Sequence, residues 1–115
     1  MFLRKKLGKL KKLNLIGGSL LPFLKEGDEI YVDVSDKDVG NFELVSFLKG
    51  KDVITHISKK IEGKLFFISP GGRYFDGPIK GYEILGKVHY VKKGPFLLPS
   101  ELFKIFFWIY FKILK

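Results

Sequence analysis

The chain has 115 residues, a net charge of +9, twelve phenylalanines and no cysteine. That length suits one domain with a modest core. Without cysteine there are no disulfides or thiolate metal sites, and two histidines are too few for a typical zinc site without carboxylate help, so no metal and no cofactor is expected. The charge favours an anionic partner, and it is unevenly placed. Arg4, Lys5, Lys6, Lys9, Lys11 and Lys12 precede Leu13 with no acid among them.

Residues 1–16 carry Phe2, Leu3, Leu7, Leu10 and Leu13 at helical spacing, with basic residues over most of the remainder. The pattern predicts a basic amphipathic helix that either lies on a membrane surface or packs its leucines on the domain. The uncharged run 13–24 is long enough for the apolar part of a secretory leader. Asn14, Gly17, Gly18, Ser19 and Pro22 dilute it and no small-residue cleavage site follows, so no cleaved leader is expected. Gly17-Gly18-Ser19-Leu20-Leu21-Pro22 has two readings. It is a flexible loop, or it is a tight turn that presents Ser19 as a nucleophile.

From Glu29 the period becomes that of strands. Residues 30–34, 42–48, 53–61, 65–68 and 82–91 are β-rich. Polar turns separate them at Ser35-Asp36-Lys37-Asp38, Lys49-Gly50-Lys51 and Glu62-Gly63, the last with the composition of a tight hairpin. Residues 69–78 form a loop by every local rule. Gly86 marks a bulge or a close backbone approach inside its strand. Lys92-Lys93-Gly94-Pro95 is expected to end the sheet.

Ser100 opens a second helix, 101–115. Glu101, Lys104, Trp108, Lys112 and Lys115 share one stripe, and every other position is Leu, Ile, Phe or Tyr. At about 1.5 Å per residue this helix is too short for the roughly 30 Å hydrocarbon core, so no transmembrane helix is expected. It lies in the membrane interface, packs on the sheet, or pairs with a partner. The chain thus divides into an N-terminal helix (1–16), a sheet domain (17–93) and an apolar C-terminal helix (94–115).

Serine nucleophiles need a base, and the base needs a partner that holds its tautomer. Ser19, His56 on a strand and Asp76 in the glycine-rich loop offer those three groups, although spacing alone does not show that they meet. Lys59, Lys60 and His89 are the other candidate bases.

The boxes Gly18-Ser19-Leu20-Leu21-Pro22 and Leu24-Lys25-Glu26-Gly27-Asp28 resemble the G-S-M-x-P and G-D motifs of the S24/S26 serine peptidases, which include signal peptidases and LexA-type self-cleaving proteins. Later boxes keep the family's order. Val39-Gly40-Asn41-Phe42-Glu43-Leu44-Val45 is similar to its G-D-I-V-V strand, and Val53-Ile54-Thr55-His56-Ile57 to its V-V-H-R-V box. Ile68-Ser69-Pro70-Gly71-Gly72 with Asp76 is similar to T-K-G-D-N-N…D, and Ile84-Leu85-Gly86-Lys87-Val88 to I-I-G-K-V. The likeness covers residues 17–91.

The resemblance implies a mainly β, signal peptidase/LexA-like sheet domain of the β-clip type. It implies Ser19 as nucleophile and His56 as general base, as in the archaeal and endoplasmic-reticulum branch, with Asp76 orienting His56. Gly18, Ser19, Leu20 and Pro22 would line the substrate and oxyanion region, where Gly17 replaces a hydroxyl donor. The chain departs from the family pattern at Leu20, Asn41, Gly72 and Ile57, which stand for Met, Asp, Asp and Arg. The implied function is a signal-peptidase-type serine endopeptidase cleaving leader segments of protein or peptide precursors. The alternative is a catalytically inactive peptide- or membrane-binding module on the same fold. The charged termini point to peripheral association with an anionic membrane surface of an otherwise cytoplasmic protein. No nucleic-acid partner is expected, because the basic residues are not interleaved with stacking aromatics on a sheet.

Overall fold

The computed structural model describes residues 10–15, 23–69 and 75–113. They form a mainly β protein, an antiparallel sheet of eight strands with one α-helix near the C-terminus. The strands are β1 (Lys11–Asn14), β2 (Glu29–Asp33), β3 (Leu44–Lys49), β4 (Asp52–Ile61), β5 (Lys64–Ile68), β6 (Phe75–Asp76), β7 (Ile84–Lys93) and β8 (Phe96–Pro99); the helix is α1 (Ser100–Ile113). The sheet order is β1-β2-β7-β3-β4-β5-β6, and β8 adds to the C-terminal half of β7.

The five expected strands are all present, with small shifts at their ends. β3 is buried at four successive positions, Leu44 to Phe47, because it lies in the middle of the sheet with both faces covered. One face holds Leu24, Ile30, Val32, Leu44, Ile57, Val88 and Val91 under Phe103 and Phe107 of α1. The other holds Val39, Val45, Phe47, Phe67 and Ile84. The β4–β5 hairpin turns at Glu62 and Gly63, both at positive φ (52° and 77°), as the twist of a two-residue turn requires.

Gly86 combines both expected roles. The β3–β7 register shifts beside it, and a Cβ there would sit 2.2 Å from the Asp33 carbonyl oxygen. Only a residue without a side chain lets β2 end across β7 at that spacing.

Three expectations are corrected. Residues 11–14 are a strand and not the end of a helix; residues 1–9 lie outside the described part. Leu13 and Leu15 pack on the helix-side core at a spacing of two, and β1 pairs along β2 with Leu13 opposite Ile30. That period-2 pattern, with a ladder of backbone hydrogen bonds, overrides the helical spacing of the leucines. The sheet also continues past Lys93, because Gly94 (φ 59°) turns the chain into β8. Phe75 and Asp76, expected in a loop, pair with Ile68 and Phe67 as a two-residue edge strand.

Candidate active site

Strand alternation places His56 on the sheet face opposite the helix. It is paired with Val45 and sits 6.2 Å (ring centroids) from Phe47. Phe47 stacks on Phe67 at 4.4 Å, which gives the imidazole an apolar floor. Ser58, Phe67 and Asp76 lie side by side across β4, β5 and β6, so Asp76 shares this face. His56 Nδ1 is 3.5 Å from Asp76 Oδ2. Two of the three expected catalytic residues therefore meet, although they belong to different strands separated by a hairpin.

His56 is 4% exposed. Burial pushes the His56 imidazole below its ordinary value of 6.5, outweighing the pull of Asp76 in the other direction, and the Lys49 charge adds to the lowering. A neutral imidazole at pH 7 can accept a proton.

From sequence Lys49 is only part of a turn. Its Nζ donates to Asp76 Oδ1 at 2.7 Å, and the same contact raises the lysine's own pKa. The signal for it was absent locally. β3 must run antiparallel to β4, with β6 two strands beyond β4, before Lys49 can reach Asp76.

Ser19, Gly18, Leu20 and Pro22 lie outside the described residues, as do Gly17 and Gly72. The ends of the segment that carries them are firmly held. Leu15 N donates to the Asp28 carbonyl (2.9 Å) and Gly27 N to the Leu15 carbonyl (3.1 Å), which ties the described residues on the two sides together. Asp28, 3% exposed, accepts from Lys25 N (3.0 Å) and from Lys93 Nζ (2.7 Å). The same ammonium donates to the Phe23 carbonyl at 3.1 Å. Burial works to raise the Asp28 carboxyl, but the Lys93 and Lys25 hydrogen bonds outweigh it and leave it lowered.

The other candidate bases have different settings. Lys59 Nζ lies 4.8 Å from the centroid of the Phe42 ring, and Lys60 is exposed. His89 Nε2 is 3.0 Å from Asp36 Oδ2 and 3.7 Å from Asp33 Oδ2. Asp33, Asp36 and His89 are the described residues whose donor atoms converge closely enough to hold a metal ion. Lys87 Nζ reaches the same Asp36 oxygen at 3.9 Å and Glu43 at 3.0 Å, so these side chains form an ion-pair cluster. Ile57, where the family pattern has arginine, is wholly buried beneath α1.

Neither a protein-family model nor a curated protein matches this chain.

Proposed function

We propose that this chain is a serine endopeptidase of the signal-peptidase type, its mainly β domain being of the LexA-like, β-clip kind, and that it cleaves leader segments of protein or peptide precursors. Ser19 Oγ attacks the scissile carbonyl and passes its proton to His56. His56 returns that proton to the leaving amine, and water resolves the acyl-enzyme by the same base. Asp76 holds the imidazole through Nδ1. The Ser19 amide serves the oxyanion hole, between Gly18 on one side and Leu20 and Pro22 on the other. The substrate binds extended, added to a sheet edge.

The observation that supports this reading is the buried His56–Asp76 contact at 3.5 Å, formed by the two residues that the family resemblance names. Catalytic hydrogen bonds in substrate-free enzymes are often longer than in the complex. The test is cleavage of peptides with small residues before the cut. Ser19→Ala is expected to lose activity by roughly 10³-fold or more. Equal processing by wild type and variant refutes the proposal.

The second reading is a non-catalytic peptide-binding module on the same fold. The Lys49–Asp76 bond at 2.7 Å favours it, because it engages Asp76 more closely than His56 does. Under that reading neither protein cleaves, and both bind the same peptides equally.

A further inference from the structure

Helix α1 has three faces. Phe103 and Phe107 are buried on the sheet. At about 100° per residue, Leu102, Ile105, Phe106 and Ile109 fall on a separate arc of roughly 100°. All four are exposed, Ile105 at 57%. Glu101, Trp108 and Lys112 border that arc on one side, and Trp108 is 52% exposed. A domain that needs its helix only for the core has no use for this outer apolar arc.

The surroundings of the arc are basic. Lys112 is exposed beside it, Lys104 is exposed further round toward the sheet with its Nζ 3.9 Å from Glu43, and Glu101 is the helix's single acid. Lys11 pairs with Val32, whose side chain lies in the helix-side core, so Lys11 is on the helix side of the sheet. Phe96 pairs with Lys93 two positions from the Leu98–Val91 pair, which puts this exposed phenylalanine on that side as well. No helix among the described residues is long and apolar enough to cross a membrane.

We infer that the outer face of α1 is a docking surface for an anionic lipid bilayer, with the helix lying in the interface plane. Leu102, Ile105, Phe106 and Ile109 enter the acyl boundary, Trp108 sits at headgroup depth, and Lys112 meets the phosphates. Charge selects this occupant. Pairing two copies of a +9 chain through this face would set lysine against lysine, whereas each basic side chain near an anionic bilayer strengthens partitioning by about fivefold. The inference is independent of Ser19 and His56.

The test uses the full chain with phosphatidylcholine vesicles, with and without phosphatidylserine. Trp108 is the only tryptophan, so its emission reports on this face alone. Flotation with phosphatidylserine vesicles and a blue shift of Trp108 are expected, both weakened by salt and by omitting phosphatidylserine. The double substitution Ile105→Ser with Phe106→Ser should lower partitioning about tenfold or more while leaving the far-UV spectrum unchanged. Quenching of wild-type Trp108 by brominated lipid gives the same answer without any variant. Absence of flotation, a Trp108 that brominated lipid does not quench, or a serine variant that partitions as well as wild type overturns the inference. So does lipid-free dimerisation that the serine variant abolishes.

Discussion

Lys49 holds Asp76 by Oδ1 at 2.7 Å, leaving Oδ2 to face His56. One carboxylate thus serves a solvent-facing ammonium and a buried imidazole. The Lys49 charge helps keep His56 neutral. Lys49→Met should therefore raise the His56 pKa. NMR titration of the His56 ring protons measures that shift directly, and the acid limb of any cleavage activity should move to higher pH with it. Melting should be unaffected, since Lys49 is solvent-exposed.

Asp76→Asn keeps the shape of the contact but loses the charge that orients Nδ1–H. By analogy with serine-triad enzymes, cleavage should fall by roughly 10⁴-fold, mainly in kcat. A kinetic comparison at several pH values checks this. A binding module would instead show unchanged peptide affinity in the same variant.

His56 also makes stability depend on pH. Its folded pKa lies below 6.5, so between the two values the unfolded chain binds the extra proton. The contribution is complete above pH 6.5 and is lost as pH falls toward the folded value. Urea midpoints at neutral and mildly acidic pH should show this slope in the wild type and a flatter one in His56→Gln.

Asp28 and Lys93 form an ion pair whose acidic side is buried, with the Asp28 side chain 3% exposed. Lys93→Met strands a buried carboxylate and should cost about 3 kcal/mol, read by urea denaturation. Because the Asp28 pKa is lowered, its contribution is present above its ordinary value of 3.8 and fades as pH falls through the folded value. The variant should lose that acid dependence. It should also disturb the segment that carries Ser19, whose described end at Phe23 hangs on the same ammonium.

The two faces of α1 should respond differently to truncation. Phe107→Ala, at a fully buried site, should cost about 3–5 kcal/mol. Phe106→Ala, on the outer arc, should change stability by less than about 1 kcal/mol. Thermal melts of the pair measure the difference.

Local chemistry determined much of this protein before any tertiary contact is considered. Alternating apolar residues set the five main strands, Glu62-Gly63 set the hairpin, and the apolar run from Leu102 set the helix. These features depend on neighbours a few residues away, which is where periodicity and turn chemistry act. His56 and Asp76 could be named as candidates, but whether they meet depends on a three-strand register that no local pattern encodes. Lys49 joins them for the same reason. Residues 11–14 became a strand because β2 offered a ladder, and Phe75-Asp76 became one because β5 had an open edge. Long-range pairing supplies hydrogen-bond partners that a short segment cannot supply for itself, and only the folded chain decides where those partners are.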